Sequence, residues 1–118
     1  MKKVIRKIFA GFILLLFFTI FSPDVFGQIV VVQCNAGWND KNKVTWLNKL
    51  TDVDKVYYID IAKYPDKQKK YEVVVVPTII ILNDGKEVKR YQADISFSIK
   101  ATKQQMQSVI DEAVMESY

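Results

Sequence analysis

The sequence predicts an α/β domain with a four-stranded mixed sheet, in the order β-α-β-α-β-β-α, and with helices on both faces. Residues 29–34 (IVVVQC) form an unbroken run rich in β-branched residues, which is typical of a central strand buried on both faces. Asp84 and Gly85 form a tight turn between two later strands, because both residues tolerate the positive φ that such a turn requires. The early β-α-β unit therefore implies a parallel crossover, and the later turn implies an antiparallel hairpin.

The first helix is predicted from Asp40 to Leu50. Asn39 or Asp40 can cap its first turn, and Val44, Leu47 and Leu50 follow at helical spacing. This helix connects the central strand to the next strand of the sheet.

The remaining elements follow in order along the chain. Residues 56–61 (VYYIDI) form the second strand, and a short helix is predicted at residues 66–71. The tight turn is flanked by strands at residues 78–82 and 86–92. Residues 102–105 (TKQQ) match a capping box, so the last helix begins there. Its apolar face consists of Met106, Val109, Ile110, Ala113 and Val114.

The composition excludes several classes of function. The chain has 118 residues, half of them apolar, which is enough for one packed domain. It contains no histidine and a single cysteine, Cys34. An internal disulfide, histidine-based acid–base catalysis and a zinc or iron–sulfur site built within the chain are therefore excluded. We expect no metal and no cofactor.

The net charge of +4 is concentrated at the N-terminus. Residues 1–27 supply +3 and residues 28–118 only +1, which is too little charge to hold a nucleic-acid backbone. Lys67, Lys69 and Lys70 form a local basic run, which we interpret as a solvated helix face. We expect no nucleic acid among the partners.

Residues 1–27 have the organisation of a secretory signal peptide. Four basic residues precede an apolar run at residues 8–21, and Val25 and Gly27 occupy the small-residue positions before a cleavage point at Gln28. The run is shorter than the roughly 20 residues that a spanning helix needs, although Val25 is not an ideal cleavage residue. We expect export to the periplasm or the extracellular space. The alternative is a retained N-terminal membrane anchor, with the membrane contacted only through this segment.

The predicted domain at residues 28–118 resembles the thioredoxin family, in a minimal form without the family's first strand and helix. Residues 36–38 (AGW) are similar to the Ala-x-Trp before the family's active-site loop, and Asp60 ends the next strand. Residues 71–78 (YEVVVVPT) are similar in spacing to the family's Tyr-Gly and Pro-Thr motifs, and residues 83–86 (NDGK) to its hairpin turn. The resemblance implies a thioredoxin-like fold with a cis peptide bond between Val76 and Pro77.

The chain departs from this family at the residues that carry its chemistry. Asn39 and Asn42 stand where the resemblance places the two cysteines of the Cys-x-x-Cys motif, and asparagine cannot form the thiolate that disulfide exchange requires. Gln33 and Val56 stand where the family has a buried acid and its lysine partner. The resemblance and these departures together predict a thioredoxin-like domain that is redox-inactive and not an enzyme.

Cys34 lies inside the predicted central strand, several residues before the start of the first helix. It gains nothing from the helix dipole there, and an unpaired thiol in an exported protein is tolerated best when it is buried. We interpret Cys34 as an inert packing residue. The alternative is a monothiol oxidoreductase that forms mixed disulfides through Cys34.

The resemblance also implies a binding groove between the start of the first helix and the loop before the third strand. Its two walls are Gly37, Trp38, Asn39 and Asp40 on one side and Val75, Val76 and Pro77 on the other. Trp38 is the expected apolar anchor, and the backbone of Val76 is expected to pair with an extended peptide. We therefore expect an exported interaction module that binds a protein or peptide without changing it. The alternative is a structural subunit of an envelope or particle assembly, held by an uncleaved N-terminal helix.

Overall fold

The computed structural model describes residues 28–116, in which four strands form one mixed sheet. The strands are β1 (Ile29–Asn35), β2 (Lys55–Asp60), β3 (Thr78–Asn83) and β4 (Lys86–Gln92), and their order in the sheet is β2-β1-β3-β4. β1 is parallel to β2 and antiparallel to β3, and β3 is antiparallel to β4. This topology confirms the predicted mixed sheet with its parallel crossover and its hairpin.

β1 occupies the centre of the sheet because its side chains are apolar on both faces. Val31 and Val32 are neighbours in the strand, so they point to opposite faces, and both are fully buried. Val31 packs in a core cluster with Met106 and Ile110 of helix α2 (Lys103–Glu116). Val32 packs in a second cluster on the other face of the sheet.

Helix α1 (Pro65–Lys70) belongs to the segment that covers this second face. Residues on both sides of α1, namely Ile61, Tyr71 and Val73, pack in the same cluster as Val32. Helices therefore lie on both faces of the sheet, as the sequence predicts.

Two of the local signals in the sequence have the expected geometry. In the capping box, the Thr102 N–H donates to Gln105 Oε1 at 2.9 Å, and the Gln105 N–H donates to Thr102 Oγ1 at 3.1 Å. In the hairpin turn, Asp84 and Gly85 have φ values of 58° and 82°, in the left-handed region that a tight two-residue turn requires. The capping box and the hairpin turn depend on neighbouring residues alone, so the sequence predicts them.

The predicted α-helix from Asp40 to Leu50 is wrong. The structure has two short 3₁₀ helices instead, at Gly37–Asn42 and Leu47–Lys49, joined by extended backbone. The buried Gln33 side chain accepts from the Val44 N–H at 2.8 Å and donates to the Val44 carbonyl at 2.9 Å. The N–H and the carbonyl of Val44 are thus both bonded to a side chain of β1. Neither group is therefore available for the backbone hydrogen bonds of an α-helix.

The signal peptide or anchor predicted at residues 1–27 lies outside the described residues. Within residues 28–116, no helix is both long enough and apolar enough to cross a membrane.

Candidate functional site

The first 3₁₀ helix and the loop before β3 lie side by side at one end of the sheet. Asn39 comes from the 3₁₀ helix, and its Nδ2 lies 3.5 Å from the carbonyl oxygen of Val76. The Val76–Pro77 peptide bond is cis, as the resemblance implies. The structure therefore brings the two predicted walls together.

Asn39 itself lies below the surface of this end, with 3% of its surface exposed. Its Nδ2 donates to Asn35 Oδ1 and to the Phe97 carbonyl, both at 3.1 Å, and its Oδ1 accepts from Asn42 Nδ2 at 2.8 Å. The Asn35 Nδ2 in turn donates to the Asn39 carbonyl at 3.1 Å. Asn39 is thus a buried cross-link between three segments, and its predicted role as the cap of an α-helix is wrong.

The two positions that the resemblance assigns to cysteines are in contact with each other. The side chains of Asn39 and Asn42 are joined by the 2.8 Å hydrogen bond between their amide groups. Neither amide can ionise to a nucleophile, and no α-helix begins here to stabilise a negative charge. The side chains at these two positions therefore supply no thiol, and the hydrogen bond between them holds the loop in shape.

Gln33 also has a structural role. It is almost fully buried, and both ends of its amide are occupied by the Val44 backbone. A carboxylate at this position could accept from the Val44 N–H but could not donate to the Val44 carbonyl. It would also carry a buried charge without a partner. A neutral amide satisfies both, and it cannot accept a proton during catalysis.

Cys34 is fully buried in β1. Burial raises the pKa of its thiol to about 11, and the positive charge of Arg90 offsets only part of this effect. The thiol is therefore protonated at neutral pH and out of contact with solvent. Both properties favour the packing role over the monothiol alternative.

An apolar groove of about 310 Å³ opens beside Trp38. Of the residues predicted for the two walls, Trp38, Val75 and Val76 line this groove, and the others do not: Gly37, Asn39, Asp40 and Pro77. Pro77 is buried like Asn39, and Asp40 lines a separate cavity of about 150 Å³. The full lining consists of Ala36, Trp38, Ile61, Ala62, Gln68, Val74, Val75, Val76 and Phe97.

Sequence reasoning missed Phe97 and Val74, which are both exposed at this groove. The Phe97 ring meets the Trp38 ring edge to face, with 5.4 Å between the centroids and 87° between the planes. Val74 is 80% exposed beside them. An aromatic residue between two serines, Ser96 and Ser98, was the available signal, because a polar loop rarely needs one for packing.

The backbone at Val76 is less available for hydrogen bonds to a peptide than the sequence suggests. Its carbonyl faces the buried Asn39 Nδ2, and the preceding carbonyl, that of Val75, accepts from Thr78 Oγ1 at 2.6 Å. An approaching peptide therefore meets two carbonyls that already have intramolecular donors.

Within residues 28–116, no group of three His, Cys, Asp or Glu side chains is arranged to hold a metal ion. The groove lining carries no charge, so it suits an apolar ligand.

The backbone is similar to several solved thioredoxin structures. Thioredoxin-2 of the malaria parasite, a component of that parasite's protein secretion machinery, matches with a TM-score of 0.58 and 20% identity, over 73% of this chain and 84% of that one. Fasciola hepatica thioredoxin matches with a TM-score of 0.53 and 23% identity, over 76% and 85% of the two chains. A Nicotiana alata thioredoxin matches with a TM-score of 0.54 and 26% identity, over 74% of each. No protein-family model and no curated protein sequence matches the chain.

These solved structures share the fold of this chain. The sequence has a single cysteine, and that cysteine lies in β1, away from the loop after Trp38. The protein therefore has a thioredoxin-like fold and lacks the Cys-x-x-Cys motif.

Proposed function

We propose that this protein is an exported, redox-inactive interaction module, which binds a protein or peptide partner in the groove beside Trp38. The observation that carries the proposal is the exposure of apolar side chains around one groove. Trp38 is 67% exposed and Val74 is 80% exposed, and both line it.

Exposed apolar side chains that cluster around a concave surface are typical of binding sites. Tryptophan is also enriched among the residues that contribute most to binding. Trp38 is held from one side by Phe97, so its ring is oriented before a partner arrives. Orientation in advance lowers the entropic cost of binding.

The loss of redox chemistry supports a binding role over a catalytic one. Asn39 and Asn42 supply no thiolate, and Gln33 supplies no proton acceptor. A thioredoxin-like surface without these groups can hold a partner but cannot exchange a disulfide with it.

Truncation of Trp38 tests the proposal. The immobilised protein captures partners from its native host, and the affinity of each purified partner is then measured for the wild type and for Trp38→Ala. We expect the variant to lose about 1–3 kcal/mol of binding free energy, the usual contribution of an aromatic anchor, with little change in melting temperature.

Tyr57→Ala is the matched control. Tyr57 is an exposed aromatic residue on β2 that does not line the groove, so its removal leaves binding unchanged. If Trp38→Ala binds as tightly as the wild type and only lowers the melting temperature, the groove is not the working surface.

A further inference from the structure

We propose that two copies of this chain associate through the outer edge of β2, with the two strands antiparallel and centred on Tyr58. The pairing joins the sheets of the two copies into one continuous sheet. The proposal goes beyond the proposed function, because no residue of β2 lines the groove beside Trp38. It combines three observations: an open strand edge, exposed aromatic side chains on that strand, and the distribution of charge along the two edges of the sheet.

β2 and β4 are the two outermost strands of the sheet. Within residues 28–116, β2 pairs with β1 alone, and the register of that pair is continuous from Lys55 to Asp60. On the outer edge of such a strand, every second residue directs its N–H and its carbonyl away from the sheet. β2 therefore presents a regular row of backbone donors and acceptors to which a further strand can bind.

Two adjacent tyrosines lie in the middle of this edge strand. Tyr57 is 45% exposed and Tyr58 is 50% exposed, and as neighbours they point to opposite faces of the sheet. On either side of them, Val56 packs against the core cluster that contains residues of α2, and Ile59 packs against the second cluster. A strand that pairs with β2 would therefore extend both faces of the core past the present edge and cover aromatic surface on each.

A second copy of β2 is suited to this edge. In an antiparallel pair related by a twofold axis, directly opposed residues are either both hydrogen-bonded across the pair or both not, so the central residue faces its own copy. A pairing centred on Tyr58 also places Tyr57 opposite Ile59 of the second copy, and pairs of aromatic and β-branched side chains stabilise a sheet. Val56 faces Asp60, and no like charges are opposed, because β2 is charged only at its first and last residues.

The opposite edge of the sheet is protected against the same pairing. Four of the seven residues of β4 are charged, and its register with β3 is interrupted by a shift. A pairing centred on Glu87, Lys89 or Arg90 would place that charge opposite its own copy. A pairing centred on Val88 would place Lys86 opposite Arg90. Charges and irregularities of this kind are typical of edges that do not pair, and the centre of β2 has neither.

The length of the strand determines the strength of the association. β2 has six residues, and pairing over this length covers less surface than the interface of a permanent dimer. We therefore expect a dimer that dissociates on dilution, with a dissociation constant in the micromolar range.

Sedimentation velocity of the protein recovered from its host tests the association, at loading concentrations from about 1 µM to about 500 µM. We expect a monomer at the lowest concentration and a dimer at the highest. A monomer over the whole range would overturn the proposal.

Amide hydrogen exchange over the same concentrations locates the contact. We expect exchange in residues 56–60 to slow as the dimer forms, whereas exchange in residues 86–92 does not change. If residues 56–60 exchange equally slowly in the monomer and the dimer, another segment of the chain covers this edge and the proposal is wrong.

Two matched substitutions compare the two edges. Tyr58→Lys places two positive charges opposite each other at the centre of the pair, so we expect the dissociation constant to rise by at least about tenfold. Because Tyr58 is exposed, the melting temperature of the monomer changes little. Val88→Lys is the control on β4, where Val88 is 42% exposed, and it leaves the dimer unchanged. An equal loss in both variants, or a loss in neither, would contradict pairing through β2.

A mixture of Tyr58→Lys and Tyr58→Glu tests the register. Each variant alone opposes its own charge, whereas the mixture brings opposite charges together at the centre, so we expect mixing to restore the dimer. If the mixture remains monomeric, the strands are not centred on Tyr58 and the proposal fails. The proposed function is tested separately, because each monomer keeps its own groove beside Trp38.

Discussion

Asn39 holds three segments of the candidate site together through one side-chain amide. Its side chain connects Asn35 on β1, Asn42 in the 3₁₀ helix and the Phe97 carbonyl in the loop after β4. The Asn39 side chain is buried and its partners are partly buried, and hydrogen bonds shielded from water are costly to leave unmade. The groove geometry therefore depends on a residue that a ligand does not touch.

Substitution of Asn39 tests this dependence. Asn39→Ala leaves the Asn35, Asn42 and Phe97 groups without partners, so we expect the free energy of unfolding to fall by about 1–3 kcal/mol in urea titrations. Asn48→Ala, at an exposed position in the second 3₁₀ helix, is the control and stays within about 0.5 kcal/mol of the wild type. An equally small effect at Asn39 would show that these hydrogen bonds do not stabilise the fold.

The raised pKa of the Cys34 thiol predicts that the stability of the domain falls at alkaline pH. Burial raises the pKa of the thiol to about 11 in the folded state, above its value in the unfolded chain. Between about pH 9 and pH 11 the folded state therefore keeps a proton that the unfolded state has lost. The stabilisation is fully present below pH 9 and is lost as the pH rises through 11, by up to about 3 kcal/mol.

The comparison of the wild type with Cys34→Val isolates this effect. Tyr91, whose pKa is also raised by burial, is present in both proteins, so its contribution cancels in the difference. We expect the unfolding free energy of the wild type to fall faster with pH above 9 than that of the variant. Parallel curves would mean that the thiol ionises normally and is accessible.

At the scale of elements, the sequence predicts the features that depend on neighbouring residues. It does not predict those that depend on residues distant in the chain. The Asp84–Gly85 turn and the Thr102 capping box depend on neighbours, and both are predicted from the sequence. Val44 and Leu47 are buried as expected, yet the α-helix predicted to contain them is absent. Its loss follows from Gln33, which lies 11 residues before Val44 and binds both of its peptide groups.

The same limit applies to the groove. Trp38, Val75 and Val76 were predicted because they flank a motif of known spacing, and they line the cavity. Phe97 lies 58 residues after Asn39, and no spacing rule connects the two, although their atoms are 3.1 Å apart. Only the fold brings them together.

The absence of cysteines at positions 39 and 42, and of an α-helix that begins there, predicts that adding two cysteines creates little redox activity. The wild-type protein should not accelerate insulin reduction by dithiothreitol above background. Restoration of both cysteines, by Asn39→Cys with Asn42→Cys, should give a catalyst at least about 100-fold slower than an ordinary thioredoxin. The 3₁₀ start lacks the dipole of an α-helix, and Gln33 cannot transfer the proton, a step that contributes about 10²–10⁴-fold in enzymes.

Insulin turbidity measures both rates, with an ordinary thioredoxin as the reference. A wild-type rate within about tenfold of that reference would contradict the proposal that the protein is redox-inactive.

At the scale of the whole molecule, the first two residues that the structure describes, Gln28 and Ile29, already form hydrogen bonds to the rest of the domain. The Gln28 carbonyl accepts from the Asp84 N–H at 2.9 Å, and the Ile29 N–H donates to Asp54 Oδ2 at 2.7 Å. These contacts join β1 to both neighbouring segments of the sheet. A chain that starts at Gln28 therefore retains every one of them.

Export with removal of residues 1–27 is the corresponding prediction. Cleavage before Gln28 separates a segment of charge +3 from a domain of charge +1, so the mature protein is nearly neutral while the precursor is basic. We expect N-terminal sequencing or intact mass of the exported protein to show a chain that begins at Gln28, with its glutamine free or cyclised. Recovery of Met1 on the exported protein would contradict cleavage. It would favour a membrane-anchored form, in which the groove beside Trp38 works at a fixed distance from the bilayer.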